Sequence, residues 1–142
     1  MKQLKNAVAF VIYNREGNRI LTVLRPPDDK HLPNLWGLPA GSVKKEESFE
    51  ECVLRSGREK LGVELQIVEL IGDGHLERED YVLYMKEYEV EIIKGKPKVP
   101  QPVKGMTQYT KWKWGKAEEL IISARKGSLC SQIYLNSRRI KW

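Results

Sequence analysis

Two cysteines, two histidines and two phenylalanines are all that the 142 residues hold of those types. Cys52 and Cys130 are too few for a disulfide framework and too isolated for a cysteine metal site. Both fall in stretches that read as helix, so buried, reduced thiols and a cytoplasmic setting are expected. Long apolar runs are missing too. None approaches the roughly 20 residues of a membrane span, and the polar, then strand-like start has no signal-peptide layout. No membrane partner is therefore expected. Acid is scarce at one end. Residues 92–142 carry 12 Lys/Arg against only Glu118 and Glu119, a balance of +10, whereas residues 1–91 carry 13 against 17, a balance of −4. That asymmetry suits anionic partners such as nucleotides, polyphosphate ends or nucleic acid, or simply a solvated basic surface. With 31% charged and 41% apolar residues, the chain reads as one soluble globular domain over 1–142.

The most informative stretch is Trp36 to Val63. It opens with a short apolar run broken by Pro39 and Gly41, a loop signal. Ser48 and Glu51 then stand three apart, the spacing of a capping box. Phe49, Cys52, Val53 and Leu61 recur at helical spacing, and Gly62 suits the helix stop. At 100° per residue Cys52, Ser56, Glu59 and Lys60 share one face. Arg55 lies one turn from both Glu51 and Glu59, so it is placed to pair with either.

This stretch resembles the Nudix hydrolases, enzymes that cleave nucleoside diphosphates linked to another group. Their motif is Gly, five residues, Glu, seven residues, then Arg-Glu-apolar-any-Glu-Glu-any-Gly-apolar. Gly41, Glu47, Arg55, Glu59, Gly62 and Val63 match it, and Trp36-Gly-Leu-Pro-Ala40 is similar to the usual run-in. The resemblance implies an α/β/α sandwich (α+β) around a central mixed sheet. It also implies Mg2+ or Mn2+ held by helix glutamates and by the Ala40 carbonyl, with Arg55 and Glu47 orienting the ligand Glu59. Two of the three glutamate positions, however, hold Ser56 and Lys60. Many family members carry a further metal-binding Glu where this chain has Thr107-Gln108. Magnesium wants an oxygen shell anchored on one or two carboxylates; an ammonium at position 60 opposes a second cation and can meet a phosphate directly. Gly57 within the helix predicts a loosened face, at a cost of about 1 kcal/mol.

Elsewhere the sequence reads as follows. Asn6–Tyr13 is a buried strand, and Asn14–Asn18 a hairpin turn leading to a second strand at 19–25. Arg25 ends that strand and is a candidate phosphate contact by the same resemblance. His31 lies in a proline-rich loop, exposed or a general base. Trp36 packs in a core or stacks on a nucleotide. A strand over 64–71 and a turn at 72–80 precede a long strand, Tyr81–Ile93, able to pair within one chain or between two. Along it Glu87, Glu89 and Glu91 share a face, either solvated or supplying missing metal ligands. Residues 94–105 form a lysine- and proline-rich loop. A strand over 107–114, helices over 116–125 and after Ser128, and a fraying basic tail complete the chain.

Two functions follow. The first is a metal-dependent pyrophosphohydrolase of a nucleoside diphosphate derivative, with Glu59, Arg55 and Glu47 catalytic, Glu59 and Ala40 on the metal, and Arg25, Lys60 and Trp36 on the substrate. The second is a module that binds a nucleotide or RNA end without cleaving it. Monomer and homodimer are both open.

Overall fold

The run Ala7-Val-Ala-Phe-Val-Ile12 is apolar at every position, which suits a strand covered on both faces. In the structure, a computed structural model describing residues 2–142, it forms the inner part of β1 (Gln3–Ile12). Ala7, Ala9 and Val11 enter one core with Leu129, Cys130 and Ile133. Val8, Phe10 and Ile12 enter another with Cys52 and Val53. Antiparallel β4 (Ala40–Ser42) and parallel β6 (Tyr81–Lys94) flank β1, and β5 (Glu64–Glu77) pairs antiparallel with β6. The mixed sheet thus runs β4-β1-β6-β5. Helix α1 (Phe49–Ser56) covers one face and α3 (Leu129–Ser137) the other, the sandwich that was expected.

The sheet is not one piece, however. β2 (Ile20–Leu24) leaves β1 after a single bridge, Tyr13 to Ile20, and joins β3 (Trp36–Gly37) and β7 (Lys111–Gly115) in a second, antiparallel sheet. The expected hairpin is therefore a corner between sheets. A 3-10 turn (Ala117–Leu120) runs into the short α2 (Ile121–Arg125). Ser128 caps α3 as expected. In the tail, the exposed Trp142 indole donates to Asn136 Oδ1 at 2.9 Å.

The strand β5 continues through Gly72-Asp-Gly74, where a turn was expected. Those glycines lie under α3: a Cβ on Gly74 would touch Ile133 and Leu129 at 3.4 Å and one on Gly72 would touch Ile133 at 3.6 Å, ordinary contact distances. The long β6 finds both partners, β1 and β5, within the chain. Its three glutamates do not form a solvated face. Glu91 is exposed and Glu89 half-buried, but Glu87 is fully buried toward α3, and neither carboxyl oxygen has a hydrogen-bond partner.

The start of α1 is set as its sequence predicts. Ser48 Oγ accepts from Glu51 N at 3.0 Å and Glu51 Oε1 accepts from Ser48 N at 2.9 Å, so Glu51 is committed to the cap. The helix widens into a π turn over Gly57–Leu61 and ends at Gly62, whose φ of +70° favours glycine. The expected loosening at Gly57 takes the form of this π turn, and the glycine also has a packing role. Leu65 packs against it so closely that a Cβ there would lie 2.5 Å from Leu65 Cδ1. Among the described residues no helix is long and apolar enough to cross a membrane.

Candidate functional site

Arg55 ties the loop after β4 to the helix. Its Nε and Nη2 donate to the two oxygens of Glu47 at 2.7 and 3.0 Å, Nη2 also donates to Ser42 O at 2.8 Å, and Nη1 donates to Glu59 Oε1 at 3.0 Å. The Arg55 hydrogen bonds hold the Glu47 carboxyl down at about 2. Two of the expected site residues thus orient the third, and all three are half-buried. Four of the five Arg55 N–H donors are thus spent on holding Glu47, Ser42 O and Glu59 together.

Lys60 projects from the π turn onto β4, and its Nζ donates to Ala40 O at 2.6 Å. Tyr109, buried, donates its hydroxyl to the same oxygen at 3.2 Å and accepts from Ala40 N at 2.9 Å. Its ring centroid lies 5.3 Å from the ammonium, a cation–π distance. Ser56 takes no part in this cluster. It is buried against Cys52, its Oγ 3.9 Å from the Cys52 Sγ, and it backs onto Gly41, where a Cβ would fall 2.1 Å from Ser56 Oγ. Burial pushes the Cys52 thiol up to about 11, which marks it as inert packing.

Two cavities meet at Lys60. One, of about 350 Å³, lies between the Gly41–Lys44 loop, Arg55 and the Gly105–Thr107 segment. The other, of about 210 Å³, has an apolar floor of Ala7, Leu83 and Met85. Arg25, His31, Arg78 and Tyr81 form its rim. Gly41, Ser42, Lys60 and Thr107 border both. Among the described residues no Asp or Glu lines either cavity.

The rim residues are placed by their own bonds. Arg25 Nη1 donates to Asp29 Oδ2 at 3.1 Å, and Asp29 Oδ1 accepts from the backbone of His31 and Leu32. His31 Nε2 is 3.3 Å from the Tyr81 hydroxyl; burial, then the charges of Arg78 and Lys30, keep its imidazole below the ordinary value. Arg78 Nη2 donates to Gly127 O at 3.3 Å, while its Nε is buried without a partner. Nothing in motif spacing points to Arg78 or Tyr109; Arg78 reads as a basic residue in a turn and Tyr109 as one position of a strand over 107–114, which in the structure begins only at Lys111.

Trp36 stands apart. It pairs with Leu24 in the second sheet, takes the Ser123 hydroxyl on its carbonyl and stacks under Lys113, and it lines neither cavity. Gln108 spans loops, donating to Glu59 O and Val103 O. Glu87 faces α3, opposite the face that α1 covers, so it cannot join Glu59.

With Lys60 on the Ala40 carbonyl, these donors do not fit a divalent cation. The described residues contain no group of three His, Cys, Asp or Glu able to hold one. Both lone-pair directions of Ala40 O are engaged, and one Glu59 oxygen is taken by Arg55. A divalent ion about 2.1 Å from Ala40 O would lie within about 5 Å of the Lys60 ammonium. The repulsion there is about 7 kcal/mol at an effective dielectric constant of 20.

A model of the NUDIX domain matches residues 3–128. The NAD-capped RNA hydrolase NudC of Pseudomonas aeruginosa is 33% identical over 64 residues, 45% of this chain but 22% of that protein. The fold matches a NUDIX hydrolase from Nitrosomonas europaea with TM-score 0.75 at 17% identity, over 96% of this chain and 89% of that one. It also matches the MutT protein from Methanosarcina mazei Go1 with TM-score 0.70 at 20% identity, over 97% and 95%.

Proposed function

This chain belongs to the NUDIX domain family, and from that premise we propose that its double cavity takes a nucleoside diphosphate derivative, the phosphates lying at Lys60. The observation that carries the reading is the meeting of two acid-free cavities at one ammonium, with Arg25 and Arg78 on the rim beyond it. Phosphates are recognised by converging cations and N–H donors. The apolar floor of Ala7, Leu83 and Met85 suits the less polar remainder of such a ligand. Glu47, Arg55 and Glu59 keep the Gly41–Glu47 loop in register with the helix, so the cavity wall is formed before the ligand arrives. The test is calorimetry of adenosine, ADP, ADP-ribose and dinucleoside polyphosphates. Binding that requires the diphosphate and weakens about tenfold in Arg78→Ala supports the reading; equal affinity for adenosine and ADP refutes it.

A second reading, hydrolysis of the pyrophosphate linkage with Mg2+ or Mn2+, is favoured by Glu59 keeping its motif position and by the hydrolases among the relatives. The present donor set does not provide for that cation. Magnesium-dependent turnover of nucleotide sugars or dinucleoside polyphosphates, abolished by Glu59→Gln, would establish it. Turnover unchanged in Glu59→Gln would remove Glu59 from any such role.

A further inference from the structure

Resting on this assignment of the cavities, we propose that the Lys60 ammonium replaces the divalent cation at the Ala40 carbonyl, so that a diphosphate is held without metal. Four observations converge on it. Lys60 Nζ already sits on the oxygen that a cation would need, at 2.6 Å. Tyr109 fixes that oxygen from the other side through its hydroxyl and offers the ammonium a ring face. The position one helical turn before Lys60 is Ser56, sealed behind Gly41 and unable to present a carboxylate. The cavity walls around Nζ carry Arg25, Lys44, Arg55 and Arg78; Arg25 and Arg55 are offset by Asp29, Glu47 and Glu59 behind them, so Lys44, Lys60 and Arg78 supply the positive charge that attracts anions.

An ammonium has three N–H donors. One is spent on Ala40 O, which leaves two for oxygens of neighbouring phosphates. A lysine is also a single charge on a flexible stem, so it can follow a phosphate that a rigid octahedral ion would force into one geometry. This arrangement recognises the diphosphate by charge and hydrogen bonds alone, and its ligands are nucleoside diphosphates and their esters as free anions instead of their magnesium complexes.

The experiment is calorimetric binding of ADP and of inorganic pyrophosphate to the full chain, in EDTA and in excess magnesium, for the wild type, Lys60→Ala and Lys60→Arg. Wild-type affinity should be at least as high in EDTA as in magnesium. Lys60→Ala should weaken binding by about tenfold or more, and Lys60→Arg should retain most of it. Thermal unfolding of each variant separates lost binding from lost fold, and the wild-type comparison stands whether or not a variant folds. Binding that appears only with magnesium overturns this inference and leaves the cavity assignment intact. No binding of ADP or pyrophosphate under either condition overturns both.

Discussion

Arg55 grips both carboxyl oxygens of Glu47, at 2.7 and 3.0 Å, across the gap between helix and loop. The hydrogen bonds from Arg55 depress Glu47 from its ordinary 4.5 to about 2. A carboxylate depressed in the folded state stabilises fully above about pH 4.5, and that stabilisation is lost as pH falls toward 2. Urea unfolding from pH 6 to 2.5 should show this loss in the wild type and a shallower one in Glu47→Gln. Identical slopes would show that the pair is not what holds the loop. Removing the arginine as Arg55→Ala also frees Ser42 O and Glu59, and should cost about 2–3 kcal/mol.

The buried Glu87 predicts the opposite pH dependence. Burial raises its carboxyl well above the ordinary value, so the folded protein keeps a proton that the unfolded chain releases above about pH 4.5. Stability should therefore decline with rising pH from 4.5 up to the folded value, at up to about 1.4 kcal/mol per pH unit. Glu87→Met should remove that decline and raise stability by about 1–3 kcal/mol at pH 8. An unchanged or lower melting temperature at pH 8 would mean that the carboxyl has a partner in solution.

Gly41 and Ser56 are close enough to be coupled. An added methyl at Gly41 lands on the Ser56 hydroxyl, so Gly41→Ala should cost about 1–3 kcal/mol. Removing that hydroxyl as Ser56→Ala should recover about half or more in the double variant. Strict additivity in denaturant unfolding would contradict the packing of β4 against the helix.

Lys60→Glu places a carboxylate where the ammonium stood, beside Glu59 and Ala40 O. The variant should lose ADP binding in EDTA by about tenfold or more, because charge at this position then repels the phosphates. Retention of wild-type affinity in EDTA would show that Lys60 does not touch the ligand.

Local signals in the sequence were reliable where a single turn of chain decides the outcome. The Ser48–Glu51 box, the Gly62 stop and the Ser128 cap are satisfied by neighbours within a few residues, and they stand as read. The helix-face reasoning placed Lys60 with Glu59, Ser56 and Cys52, but the π turn at Gly57 separates them: Ser56 and Cys52 are buried, while Lys60 reaches the Ala40 carbonyl of β4. What escaped depends on distant partners. Gly72 and Gly74 resemble a turn until Ile133 of α3 is seen lying on them. Glu87 alternates like a solvated residue, yet α3 covers it. Arg78 joins the cavity only because the β5–β6 hairpin folds against Gly127.

The decisive measurement is a titration of ADP, in EDTA, into the 15N-labelled protein, followed by amide spectra. Shifts concentrated at Gly41, Lys60, Arg78 and Thr107 are the expected result, since Gly41, Lys60 and Thr107 border both cavities and Arg78 borders one. Amides at those positions that stay still in EDTA and move only once magnesium is added would contradict a metal-free diphosphate site.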